Sequence, residues 1–414
     1  MGRWGIVLKR KNYWLLFAIL LLSLTSLSPS MELSTNNDPH PMKKPQSQST
    51  NPSSGEEGTI DSLRITVSLN SEEFNELELL SNRYTLESGV KVILRNIDSE
   101  DADEVLKHDL TIGDSPDIVM ADGRSILDWA TRGYLLPVDV YQSIPGTAPL
   151  TQLIPWMQWN GYNWGVPLDI DPYVLVYSPQ RLAELGFTTL PRSLEQWNTL
   201  LQNVLKEQGK YLLAMDTRNP YGLSAVMESM NSSLLSDNQE VINWTQNARS
   251  YFYLTSRYNK DVWDMIQSGS VAVAALPLSE WKKHGNSSLV AEAPLTASNG
   301  RGLESYYSRS FALPAQSPNP KEAVNWLTFI TSEDSQMDWL ENTGSLPALD
   351  VLYRSEHDFK YRLPFGVELL LTEETAPEVE FQGGWSKIVE AVSLLLTGKM
   401  DAAGYKDFIK EGLE

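Results

Sequence analysis

From residue 63 onward the apolar positions recur with recognisable periods. Leu63, Ile65, Val67 and Leu69 alternate with Arg64, Thr66 and Ser68, the period of a half-buried strand. From Phe74 to Tyr84 the spacing becomes helical, with Ser71 as the expected N-cap and Glu72 and Glu73 in the first turn. Gly89 ends that helix, and 90–94 (VKVIL) reads as a second strand. A helix over 101–109 and a third strand over 116–120 follow. Strands that alternate with helices pair in parallel and carry the helices on their faces, so the pattern predicts an α/β domain.

The same reading continues along the chain. A helix over 125–132 is closed by Gly133, and a loop rich in aromatics (Trp156, Trp159, Tyr162, Trp164) leads to a strand over 173–177. Helices are expected over 179–185, 193–207, 221–230, 244–253 and 261–267, the last closed by Gly269 before a strand over 271–276. Strands over 290–294 and 309–314 come next, and from Lys321 the chain reads as mostly helical. There is no internal repeat, which argues against solenoids and propellers.

The first 30 residues have a different chemistry. Arg3, Lys9, Arg10 and Lys11 carry four positive charges with no acid, and an apolar run follows from Trp14 to Leu27, then Ser28-Pro29-Ser30. This is the pattern of an export signal. The run is shorter than the roughly 20 residues of a membrane span, so 1–30 is expected to be either a cleaved signal peptide or a retained N-terminal anchor. Residues 31–60, rich in Ser, Asn, Pro, Gln and Gly, lack the apolar side chains of a core and read as a flexible linker.

The whole chain of 414 residues holds 33 Lys+Arg against 53 Asp+Glu, a formal charge of −20, which argues against nucleic acid as a partner. It has no cysteine. That excludes disulfides, thiol catalysis, Cys-ligated metal and a lipid-modified N-terminal cysteine. The four histidines, His40, His108, His284 and His357, form no metal-binding pair at helical spacing. There is no Gly-x-Ser-x-Gly elbow, P-loop or dinucleotide fingerprint. The acidic run 98–104 lacks the spacing of a calcium loop and reads as a solvated face. No enzyme, cofactor or metal is expected. A pair of the many carboxylates acting as a glycosidase dyad is the least favoured alternative.

The aromatics point to binding. The chain has 13 Trp, with Trp156, Trp159 and Trp164 in or near loops and Trp385 after Gln382-Gly383-Gly384. Indoles stack on the flat apolar faces of sugar rings, while polar side chains at the edge take the hydroxyls. Asp169, Asp171 and the stretch Asp216-Thr217-Arg218-Asn219-Pro220-Tyr221 supply such neighbours. For any single Trp, packing is the commoner role; the set favours a neutral polar ligand such as a sugar.

Four stretches resemble bacterial extracellular solute-binding proteins of ABC importers, in the sugar-binding, maltose-binding-like class. They are GDSPDIVM at 113–120 with GYLLP at 133–137; WNGYNWGVP at 159–167 running into LVYS at 175–178 and LPRSLEQW at 190–197; GSVAVA at 269–274; and SPNPKEAVNWL at 317–327 with GSLPA at 344–348. Their order and spacing cover nearly all of 62–414. The resemblance implies an α/β, two-lobe periplasmic-binding-protein (Venus flytrap) fold, each lobe a mostly parallel sheet flanked by helices, with the ligand cleft at the hinge. Lobe 1 would comprise 61–169 and 291–346, and lobe 2 would comprise 170–290 and 347–414. The chain would cross the hinge near Pro167–Asp171, return near Ala291–Leu295 and cross again near Pro347.

Carried over onto this sequence, the resemblance makes Trp385 the stacking Trp of the last lobe segment and Tyr221 the aromatic of an acidic-Pro-Tyr motif, with Asn219 where the family has a carboxylate. Asp171 is similar to the hinge-side carboxylate, Asp122 and Arg124 to the first-lobe contact pair, and Asn70 and Ser71 to the polar groups that end the first strand. Leu278 stands where the family has a second-lobe Trp, with Trp281 three positions on, so the ligand would differ from maltodextrin. The partners implied are a small-molecule ligand of carbohydrate type and ABC permease subunits, for a monomer that meets the membrane only through its N-terminal segment. The expected location is the outer face of the cytoplasmic membrane or the periplasm, without a cysteine-borne lipid. Because the lipobox cysteine is missing, a tethered sensory protein that presents ligand to a signalling receptor stands as the alternative. Fold alone does not choose between the two.

Overall fold

Strand β1 (Ser62–Val67) forms where the alternation begins, and its Leu63, Ile65 and Val67 are buried. The computed structural model describes residues 62–97, 102–112, 115–141, 148–236, 238–255, 261–294, 305–355, 357–371 and 384–413. The expected signal or anchor 1–30, the linker 31–60, His40 and residues 98–101, 113–114 and 382–383 lie outside the described residues.

The helix Ser71–Ser88 is capped by Asn70, one residue before the expected cap. The Asn70 side chain accepts from the Glu73 amide at 2.9 Å, and the Asn70 amide donates back to the Glu73 carboxylate. Only Asn70 has a Glu three positions on that can close this reciprocal box; Ser71 is followed at that distance by Phe74. After it come β2 (Lys91–Asn96), the helix Ala102–Ile112, β3 (Ile118–Asp122), the helix Ser125–Thr131 and the short β4 (Leu135–Leu136). A tight hairpin follows, β5 (Gln158–Trp159) and β6 (Tyr162–Asn163), turned by Asn160 and Gly161 at positive φ.

Strand β7 (Val166–Tyr177) is buried at all 12 positions. Such a strand, covered on both faces, reads as a continuous apolar run, and here it also carries Asp169 and Asp171 into the interior. Beyond it lie β8 (Tyr211–Asp216), β9 (Phe252–Thr255), β10 (Val271–Pro277), β11 (Val290–Glu292), β12 (Tyr306–Pro314) and β13 (Leu346–Pro347). The expected helix over 244–253 is instead the helix Gln239–Ala248, capped by Asn238, and Tyr253 stands on β9.

Apart from the β5–β6 hairpin the strands form one sheet, with β2-β1-β3-β12-β7-β10-β8-β9 as its main path. In the first half β1 runs parallel to β2 and β3, and β12 returns antiparallel between β3 and β7. In the second half β10 is antiparallel to β7, with β8 and β9 parallel beyond it. The halves meet on β7: Val166 to Pro172 pair with β12, and Tyr173 to Tyr177 pair with β10. Beside Val166 to Pro172 of β7 runs β12, while β11 pairs with the far end, Leu175 to Tyr177. β13 lies on Asp169 and Ile170, near the third expected crossing.

Each half has its own core. Leu63, Leu77, Phe311, Trp326 and Trp339 pack in the first, and Trp197, Tyr221, Val392 and Tyr405 in the second. A further cluster containing Trp129, Ile170, Val174 and Leu276 joins them along β7. The fold is thus a two-lobe α/β architecture in which paired strands, rather than a loop, connect the lobes.

Candidate functional site

The site is assembled from the ends of strands in both halves. β3 ends in Asp122, and Gly123 and Arg124 turn the chain into the helix Ser125–Thr131. Gly123 packs closely here: a Cβ would lie 3.3 Å from Ser310 Oγ and 3.4 Å from the Ser308 carbonyl oxygen. In the second half β8 ends in Asp216, and the loop through Asn219 and Pro220 starts the helix Tyr221–Ser229. That helix approaches the sheet through Gly222, where a Cβ would stand 3.1 Å from the Met215 Cβ. Trp385 opens the helix Trp385–Thr397 from a third part of the chain.

These elements converge on Asp122. The Tyr221 hydroxyl donates to both its carboxylate oxygens at 2.9 and 2.7 Å, Trp385 Nε1 donates at 3.0 Å, and the Arg124 amide at 3.0 Å. The Arg124 guanidinium lies between two indoles, 4.1 Å from the Trp156 centroid and 4.8 Å from that of Trp385, the geometry of a cation over a ring face. The Tyr221 ring is fully buried, stacked on Tyr173 at 5.8 Å and tilted against Tyr307 at 5.3 Å and Trp385 at 5.6 Å. Asn219 supports this ring: its Oδ1 accepts from the Tyr221 amide and its Nδ2 donates to Asp216, both at 3.2 Å. Beside Tyr173 and Asp216 is a small niche of about 30 Å³, partly open to solvent and walled also by Met215, Thr255, Val262 and Pro277.

A second polar centre lies on β7. Asp171 accepts from the Ser279 amide at 2.9 Å and the Ser279 hydroxyl at 2.6 Å, at the start of the helix Leu278–His284. Nearby, Asp169 holds the Arg309 side chain, with Arg309 Nε at 3.1 and 3.0 Å from its oxygens and a further short bond from the same guanidinium. Arg309 also pairs with Glu73 at 2.8 Å and donates to Ser345 Oγ at 3.1 Å. The capped start of the helix Ser71–Ser88 is therefore tied directly to the crossing strands.

Of the residues expected from sequence, Asp122, Arg124, Tyr221 and Trp385 come together, with Asn219 on the backbone of Tyr221. Asn70 caps a helix and Ser71 is its first residue. Asp171 belongs to the second centre. Trp281 packs against Trp263 at 6.3 Å, and its neighbour Ser279 makes the contact to Asp171. Tyr173, Tyr307 and Arg309 are not among the expected site residues, and Asp169, expected as a polar neighbour of the ligand, pairs with Arg309. The alternation Tyr307-Ser308-Arg309 on a strand was the available signal, but the expected strand began only at Arg309.

Burial pushes the Asp122 and Asp171 carboxyls up, each from 3.8 to about 6, against the opposing effect of their hydrogen-bond donors. A carboxyl raised in the folded state binds its proton more tightly there than in the unfolded chain. Stability therefore falls as pH rises through the window from about 4 to about 6 and is level above it. A shift of this size corresponds to about 3 kcal/mol per group. Urea unfolding at pH 5 and pH 7 should show the higher stability at pH 5, and Asp171→Asn should flatten the slope between them. An unchanged slope in the variant would remove Asp171 as the cause.

The family model described as bacterial extracellular solute-binding protein matches residues 79–360. Curated protein sequences give no significant match. Among solved structures the chain is similar to a cyclo/maltodextrin-binding protein complexed with maltotetraose, at 17% identity and a TM-score of 0.59 over 86% of this chain and 97% of that one. It is also similar to the GacH receptor of Streptomyces glaucescens, solved unliganded and with acarbose, at 18% identity and 0.61 over 85% and 98%. Maltose-bound MalE3 of T. maritima matches at 15% identity and 0.63 over 85% and 98%. At these identities the structures share the fold.

Proposed function

Because the chain belongs to the bacterial extracellular solute-binding proteins, we propose that it captures a neutral sugar or oligosaccharide in the cleft between its halves and delivers it to an ABC importer. The observation that carries this reading is the convergence of Asp122, Arg124 and Trp156 from one half with Tyr221 and Trp385 from the other. Carboxylate, guanidinium and indole faces together are what a ring of hydroxyls and C–H faces requires. The structural relatives that hold maltotetraose and acarbose support the ligand class.

In this reading Asp122, Arg124, Asn219, Tyr221 and Trp385 contact the ligand, with Asn70, Ser71, Asp171 and Trp281 as outer candidates. The lobes meet on β7, with the return between them made on β12. Contacts to both lobes favour the closed form, and the importer distinguishes closed from open. The N-terminal segment exports the chain and the linker 31–60 gives it reach.

A ligand that binds only the folded state raises the melting temperature in a dose-dependent way. In a thermal-shift screen of the full chain, mono- and oligosaccharides should raise it while amino acids, polyamines and metals leave it unchanged. A shift with polyamines alone would overturn the sugar assignment.

A further inference from the structure

Asp122 lies six positions before a second acid, Asp128, and both face the start of the helix Trp385–Thr397. Gly384, the residue before that helix, has φ +79° and no side-chain cap among the described residues. A Cβ built on Gly384 would lie 2.6 Å from Asp128 Cγ and 2.7 and 2.9 Å from its two oxygens, so the carboxylate is packed directly on the glycine. Asp128 is largely buried and is steadied by Arg132 Nε at 2.9 Å. A carboxylate beside a helix N-terminus meets the positive end of the helix dipole and backbone N–H groups that have no partner within the helix.

The segment from Asp122 to Asp128 thus grips the second half in three ways. Asp122 accepts the Trp385 side-chain N–H and the Tyr221 hydroxyl, Arg124 covers the Trp385 ring, and Asp128 faces the helix backbone. Across the same gap Lys283 Nζ donates to Glu72 at 2.8 Å.

We propose that the Asp122–Asp128 segment is a cross-lobe latch that closes the cleft with the protein's own side chains, Asp128 acting as a positioning residue for the helix that carries Trp385. A ligand hydroxyl that reaches Asp122 does so by displacing Tyr221 or Trp385. Gly384 is then required for its backbone conformation and also to leave room for the latch carboxylate. The latch joins the lobes whatever the ligand is.

The absence of cysteine makes the test clean. Spin labels on Glu87→Cys and Gln208→Cys, exposed sites on the two halves, report the distance between lobes of the full chain in buffer. The unmodified latch should give a dominant short distance. Tyr221→Phe, which keeps the ring and removes one charge-assisted bond, should lower the short-to-long ratio about tenfold. Asp128→Asn should lower it about threefold, and Gly384→Ala, which wedges a methyl against Asp128, should shift the population to the long distance. Far-ultraviolet circular dichroism of each variant checks that the helices are retained. A distance distribution identical in all four proteins, or a long distance already dominant with the latch intact, would overturn the proposal.

Discussion

Replacing Arg309 with methionine should destabilise the fold by about 3–5 kcal/mol, the cost of leaving buried charges without their partner. Arg309 is 4% exposed and Asp169 fully buried. The guanidinium satisfies Asp169, Glu73 and Ser345 together, and Trp339 Nε1 at 2.8 Å would remain as a neutral donor to Asp169. The effect should come from stranded charge more than from lost packing, because Met retains most of the apolar stem. Arg309→Met/Asp169→Leu should therefore recover part of the loss, since replacing both partners of a buried pair is far less costly than removing one. The surface pair of Arg83 and Asp338, both about 40% exposed, supplies the contrast: Arg83→Ala should cost no more than about 1 kcal/mol. Urea unfolding midpoints measure all three, and an Arg309→Met loss comparable to Arg83→Ala would show that this network does not hold the crossing strands.

Trp385→Ala should weaken binding of the proposed carbohydrate by about 30-fold or more, the scale of a buried aromatic hot spot. The indole joins the Asp122 carboxylate through its N–H and the Arg124 guanidinium through its face, and lies tilted against the Tyr221 ring. Truncation removes the indole face on which a sugar ring would stack, together with the contacts that hold that face at the cleft. Trp385→Phe keeps the apolar face and loses the hydrogen bond, so it should weaken binding by about tenfold or less. Since Trp385 is only partly buried and lies at the edge of the second core, both variants should fold. Isothermal titration of each variant separates the two contributions, and equal affinities for Trp385→Ala and the unsubstituted chain would place the ligand elsewhere.

How much of this was legible in the sequence follows from where the signals are local. The unit from β1 to β2 was readable because Leu63 to Leu69 alternate, the helix after them has a regular period and Gly89 stops it. The misplaced cap is a one-residue matter, decided by Glu73 and not by the capping preference of Ser71, which is nearly that of Asn70. β8 escaped notice because Leu212 to Met215 are all buried, so the period that marks a half-exposed strand is absent.

Trp385 and the stretch ending in Tyr221 stand out by residue type, but only the family resemblance groups them with Asp122 and Arg124. Asp122, Tyr221 and Trp385 come from three distant parts of the chain, and no local pattern ties them together. Their mutual hydrogen bonds, with Tyr221 and Trp385 both donating to Asp122, are a product of the tertiary arrangement. Around Trp281 the local sequence does not tell which side chain meets Asp171. An indole near the expected position packs on Trp263, and the smaller Ser279 reaches Asp171. Arg309 was hidden for the opposite reason: a lone arginine in an apolar strand gives no hint that Asp169 and Glu73 await it.

Calorimetric titration of the full chain with a panel of neutral mono- and oligosaccharides, alongside Trp385→Ala, is the most direct test of carbohydrate capture in the cleft. One-to-one binding of at least one saccharide, weakened by about 30-fold or more in Trp385→Ala, is the expected result. Heat from an amine or a peptide but from no saccharide, with the same affinity in Trp385→Ala, would contradict both the ligand class and the site.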